Sequence, residues 1–443
     1  MIRCRHQIDT KLVTFFISEN KFDTEINEAL INWYTSLEDK NHQNSRKSAI
    51  EFLKILSRKV LTEIDYPLNE REKLVKIFDP LELVLRTALS IKQPGEGQHY
   101  VRDHLSHTVR NVLFTNFLLK KYDPENYSSL RMQLFITAIF HDLAYPIEKI
   151  KAVAKKIGGS TFTELLNSKG EIEIELENPH DLLEVLNYFG KLIGDLIKEQ
   201  EHADDDLKEK LQIRVKKIEL IYRKIVSEAI AGKGLFDASH SISSVVLFLM
   251  PIIKYWQNSR SYHEINLDSI ADICLAMAYH DRINLVQEIT EFKIPLILKV
   301  MRLADELQEW DRESDSFILD ATIEKDISAV LSFKLIMRDK TKSEENNECK
   351  AEYFLPDKIN GILPIVTDDE KIKLYIEFPR KIDKDKVVAR FEKKVAEPFA
   401  AGPIKLNYEF TGHEKGNKIE IVFHNRMATL QIKKSTSDGA GIN

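Results

Sequence analysis

Apolar residues recur every three to four positions through most of the chain up to about residue 312, and every second position after about residue 320. The first pattern predicts helices that bury one face, the second half-buried strands. In the first 90 residues the helical spacing is carried by "DTEINEALINWYTSLED", "SAIEFLKILSRKVLTEI" and, after Pro67, "YPLNEREKLVKIF". "KQPGEG" (92–97) then breaks the pattern with turn-forming residues. Seven further helical stretches come after it, from "HTVRNVLFTNFLLKKY" and "LRMQLFITAIFHDLAY" to "LDSIADICLAMAYHD" and "FKIPLILKVMRLADELQEW". Residues 200–218, with "EHADDD" and alternating charge, read as a solvated surface connection. "IGGSTF" and "KGEIEIELENPH" suggest an irregular insertion with a short strand.

The strand pattern falls on "AVLSFKLIMRD", "IKLYIEFPR", "IKLNYEF" and "KIEIVFH", with one amphipathic helix, "DKDKVVARFEKKVAEPF", among them. This predicts a small α+β domain, a helix on one face of an antiparallel sheet. The fold class is therefore mainly α, a helical bundle followed by a small C-terminal α+β domain. The expected division is 1–97 for an N-terminal helical region, 98–318 for the central helical domain and 319–434 for the α+β domain. The tail, 435–443, is expected to be disordered.

Composition narrows the picture. With 443 residues, 43% apolar and 30% charged, the chain has ample material for a core. A net charge of -6 gives no global basic field, so nucleic acid is not indicated as a partner. Cys4, Cys274 and Cys349 are too few and too scattered for a disulfide framework or a thiolate zinc site. No apolar run nears the length of a membrane span; the longest, "SSVVLFLMPII", fits a buried helix. With no secretory h-region at the start, the expected location is the cytoplasm.

The chemistry lies where polar residues interrupt apolar helices. His104 and His107 open one helix, and His141-Asp142 end the run in "LFITAIFHDLAY". His240 sits in "FDASHSISSVVLFL", His280-Asp281 end "ICLAMAYHDR", and Asp305 lies in "LKVMRLADELQEW". Each alone is more simply a hydrogen-bonded core residue or a cap. Five separate helices each bringing such a residue to a bundle interior is a different matter, because imidazole and carboxylate together suit first-row transition ions. A site without thiolates is a poor structural zinc site and a good catalytic one.

In that order, His, then His-Asp, His, His and Asp, the chain resembles the HD superfamily of metal-dependent phosphohydrolases over about residues 98–312. "HTVRNV" resembles the first-His helix, "FHDLAYP" the defining doublet, "SHSISS" and "AMAYHD" the two later histidines, and "VMRLADELQEW" the helix with the closing Asp. "LADELQEWDR" also resembles a bacterial subgroup of stress- and conflict-related proteins. The resemblance implies that His107, His141, Asp142 and Asp305 bind a first divalent ion (Mn, Fe, Ni, Co or Zn). Asp142 would bridge to a second, held by His240 and His280. A second His often follows the position of His280; here it is Asp281, also able to ligate. Where many such enzymes carry a catalytic Lys, three positions after the doublet's Asp, this chain has Tyr145. Lys149, Arg102 and Arg302 are candidates to meet phosphate, with Tyr145 a weaker donor, and His104, one turn before His107, is a candidate proton donor or substrate contact.

The resemblance further implies hydrolysis of a phosphoester, a nucleotide or cyclic nucleotide first, by metal-activated water. A nuclease for single strands and a ligand-sensing protein without turnover are the alternatives, and a homodimer is expected by analogy. No phosphate-binding glycine loop or serine elbow competes: "GKGLF" lacks the spacing of the first.

Overall fold

The computed structural model describes residues 7–38, 42–64, 68–76, 104–145, 179–230, 239–259, 267–280 and 295–308, five strand segments between 316 and 425, and a few isolated positions besides. Among the described residues there are eleven helices. They are α1 (Gln7–Asn20), α2 (Thr24–Ser36), α3 (His42–Glu63), α4 (Leu68–Lys76), α5 (His104–Tyr122) and α6 (Tyr127–Phe140), followed by α7 (Pro179–Glu201), α8 (Asp205–Ile230), α9 (His240–Ser259), α10 (Leu267–Tyr279) and α11 (Leu296–Leu307). None of these helices is long and apolar enough to cross a membrane.

At the centre lies α5, buried on almost every side from His104 to Leu119. Its sequence, "HLSHTVRNVLFTNFLL", has no polar face to offer water. Where polar residues stand on it, they find partners inside. It packs against α6, α11, α1 and α3, while α10 lies against α6, α9 and α11. The N-terminal helices and the central ones share one core. Phe16 of α1 lies 5.9 Å from Phe52 of α3 and 5.5 Å from Phe135 of α6, ring centre to ring centre. Removing rings of this size from water stabilises the fold by about 1.5–3 kcal/mol each.

Two polar links fix α5 to the N-terminal helices. The Arg110 guanidinium donates to the Asp9 carboxylate of α1 at 2.8 and 3.0 Å, with both side chains buried. On α2, the fully buried Trp33 donates its indole N–H to Ser106 Oγ at 3.3 Å, and the Arg110 guanidinium lies 5.9 Å from its ring centre.

The connection expected over 200–218 shrinks to His202–Asp204. From Asp205 the chain is the long helix α8, which buries Leu211, Val215 and Ile218 and pairs with α7. Charge alternation misled here because a helix with one apolar stripe needs no more than that stripe to dock.

Toward the C-terminus, β1 (Ser316–Asp326), β2 (Val330–Asp339), β3 (Lys371–Glu377), β4 (Leu406–Gly412) and β5 (Lys418–Asn425) form one sheet in the order β1-β2-β3-β5-β4. The four segments with alternating pattern coincide with β2 to β5, and β1 adds a strand that the pattern did not single out. The sheet is mixed, a correction to the all-antiparallel expectation: β2 and β3 run parallel, and the remaining pairs antiparallel. A parallel pair needs a long crossover, and residues 340–370 between these strands supply the length. The expected helix over "DKDKVVARFEKKVAEPF", apart from two positions, lies outside the described residues, as do the "IGGSTF" and "KGEIEIELENPH" insertion and the tail.

Candidate metal centre

Two helices end in the same way. α6 closes on "AIFH" and α10 on "MAYH", each placing a His one residue beyond the last helical position. The final carbonyls of a helix lack intrahelical donors. His141 Nδ1 donates to Ala138 O at 2.9 Å, and His280 Nδ1 donates to Met277 O at 2.7 Å. Each bond caps a helix and fixes a tautomer. With the proton on Nδ1, a neutral ring presents the bare lone pair of Nε2.

His107 is set the same way by a different group. Its Nδ1 donates to Oε1 of Gln308, the residue immediately after α11, and its Nε2 lies 3.0 Å from Asp305 Oδ1. Both His107 and His141 then face carboxylates. His141 Nε2 is 3.4 Å from Asp142 Oδ2 and 3.8 Å from Asp305 Oδ1, and His107 Nε2 is 3.9 Å from Asp142 Oδ2.

Asp142 looks both ways. Its other oxygen, Oδ1, is 3.2 Å from His280 Nε2 and 3.3 Å from His240 Nε2. The result is two groups that share one carboxylate: His107, His141, Asp142 and Asp305, and Asp142, His240 and His280. Within each, one ligand atom per residue lies within 4.8 Å of every other. The turn that presents Asp142 is pinned from α9, where Ser244 Oγ accepts from the Ala144 N–H at 2.9 Å. Small residues after His240 therefore do more than save space.

The donor set is of a kind that could hold a metal ion. Two lone-pair-bearing Nε2 atoms and two carboxylates point at the first centre, and acceptors at such distances repel unless something positive lies between them. Electrostatics says the same. Burial opposes charge on both Asp142 and Asp305, yet the neighbouring imidazoles outweigh it and hold both carboxyls well below their usual range. For His141 burial is again the largest influence and pulls downward, but Asp142 and Asp305 together push it up to about 10. A proton on the ring and a cation in the centre answer the same demand.

His104 stands apart from both groups. Its Nε2 donates to the Asp142 main-chain carbonyl at 3.1 Å, and its Nδ1 lies 3.8 Å from Asp142 Oδ2. Tyr145 stacks flat on its ring, with centres 4.9 Å apart at 16°, and meets His240 edge-on at 5.4 Å. Arg302 is fully buried and donates Nη1–H to the Tyr279 carbonyl at 3.2 Å, which braces the α10 end that carries His280. Arg102, Lys149 and Asp281 lie outside the described residues.

Two residues went unread in the sequence. Gln308 follows the Asp305 helix in "ADELQ" and orients His107. Asn111, one helical turn after His107, inserts its amide among His107, His141 and Asp305. The i, i+4 spacing from His107 was the available signal for Asn111. Comparison of the chain with models of known protein families, with curated proteins and with solved structures returned no match.

Proposed function

We propose that this chain is a metal-dependent phosphohydrolase of the HD type, acting on a phosphoester of a nucleotide or cyclic nucleotide. One observation carries the reading: the buried Asp142 carboxylate turns one oxygen toward each of two histidine-containing groups. In this reading His107, His141, Asp142 and Asp305 hold one divalent ion, and Asp142, His240 and His280 a second. Paired ions in such a site supply Lewis acidity and bring the pKa of a water molecule toward neutrality.

The chain's own residues do the remaining work. The buried Asp142 and the partly buried Asp305 keep their charge because imidazoles surround them. His104, whose Nε2 donates to the Asp142 carbonyl and whose Nδ1 lies 3.8 Å from Asp142 Oδ2, would pass a proton to a departing oxygen. Tyr145 lies along the His104 ring and holds its plane. Since Tyr145 brings no charge and Arg302 is engaged with the Tyr279 carbonyl, the cations for phosphate fall to Arg102 and Lys149.

The test is a panel of phosphoesters with added Mn2+: nucleoside phosphates, cyclic nucleotides and single-stranded DNA. Phosphate or nucleotide release from the small substrates, abolished in His141→Ala, is the expected result. Cleavage of the DNA alone would replace the reading with a nuclease. Metal uptake with no turnover of any member would leave a ligand-sensing protein.

A further inference from the structure

Asn111 is completely buried on α5, and its amide nitrogen lies 3.1 Å from His107 Nε2, 3.4 Å from His141 Nε2 and 3.2 Å from Asp305 Oδ1. Those are three of the four residues of the first group. Ligands about 2.1 Å from a common ion and at right angles to one another are separated by about 3.0 Å. The tip of Asn111 thus keeps the spacing of a neighbouring ligand to three ligand atoms at once. A residue that merely buttressed the site from outside would reach one of them from behind.

The other end of the amide adds an independent observation. Asn111 Oδ1 is enclosed and finds no hydrogen-bond partner among the described residues. The two ends of a carboxamide fill the same space, and half a turn about χ2 exchanges them. Turned so, the side chain directs an oxygen lone pair to the place where His107 and His141 already direct theirs. An enclosed acceptor without a donor then becomes an acceptor with a cation.

We infer that Asn111 is a further ligand of the first ion, through its carboxamide oxygen. The inference rests on the metal reading above and adds a hard oxygen to a set of two imidazoles and two carboxylates. Four protein ligands would suit tetrahedral zinc; five with three oxygen donors favour a six-coordinate ion such as Mn2+.

The test uses the full chain, stripped of metal by chelation, and Mn2+ alone as the probe. Binding is followed by loss of the free-ion paramagnetic resonance signal, and Zn2+ affinity is measured in parallel by competition with a chromophoric chelator. Thermal melts of each metal-free variant verify folding. Asn111→Leu is expected to weaken the tighter Mn2+ site tenfold or more and Zn2+ less. Asn111→Asp, which keeps an oxygen and loses both N–H groups, is expected to retain Mn2+ affinity within about threefold. Equal losses in Asn111→Asp and Asn111→Leu would show that the N–H groups matter instead and would overturn the inference. So would wild-type affinity in a folded Asn111→Leu. Either result leaves the metal reading standing if His141→Ala still loses the ion, whereas a wild-type chain that takes up neither metal ends that reading and this inference together.

Discussion

His141 and His280 show how a single residue type serves fold and chemistry at once. Each ring completes the end of a helix through Nδ1 and thereby aims Nε2 at Asp142. Replacing either by Ala removes a cap and a candidate ligand together. We therefore expect His141→Ala and Asp142→Ala to lose bound metal and turnover; activity retained in either variant would refute the site assignment. Protons compete for the same lone pairs. Because Asp142 and Asp305 raise His141 to about 10, the metal-free site carries a proton there through neutral pH. Metal affinity should accordingly rise with pH up to that value and fall as acid returns the proton to His141. Calorimetry of Mn2+ binding at about pH 7.5 in buffers of different ionisation enthalpy should register about one proton released. His107, His141, Asp142, His240, His280 and Asp305 were legible in the sequence because a charged or imidazole group beside an apolar run demands an explanation. Gln308 and Asn111 were not, since a neutral amide on a helix is unremarkable until its neighbours are known.

The elements hold these residues through α5, which carries His104, His107 and Asn111 and is pinned from outside by Asp9–Arg110 and Trp33–Ser106. Cutting one partner from a buried ion pair leaves the other charge stranded. Arg110→Ala should cost about 3–5 kcal/mol in denaturant unfolding. The double replacement Asp9→Leu with Arg110→Met should recover most of that loss. A single-variant cost below about 1 kcal/mol would mean that α1 does not lock the site helix in place. Periodicity read these helices well where an apolar stripe was wide, as in α5, α6 and α10. In α8 periodicity marked residues 207–230 as helical, and it was the charge over 200–218 that suggested a surface connection, although Leu211, Val215 and Ile218 are buried there. Among the strands, pairing direction was illegible: alternation reports which face is buried, while the β2–β3 parallel pair depends on how the intervening chain returns.

Across the whole molecule, the N-terminal helices and the helices of the site draw on one core, so the centre and the fold stabilise each other. An ion that binds only the folded chain adds stability by mass action, about 4 kcal/mol at a thousandfold excess over its dissociation constant. Addition of Mn2+ should raise the melting temperature and chelation should lower it, and Asp142→Ala should abolish the difference. Measurement of metal content bears most directly on the centre. The purified full chain, reconstituted with Mn2+, Fe2+ or Zn2+ and freed of excess, would be assayed by elemental mass spectrometry beside Asp142→Ala. Close to two ions per chain, absent from the variant, is the expected result. A wild-type chain that retains no transition ion under any of these conditions would contradict it.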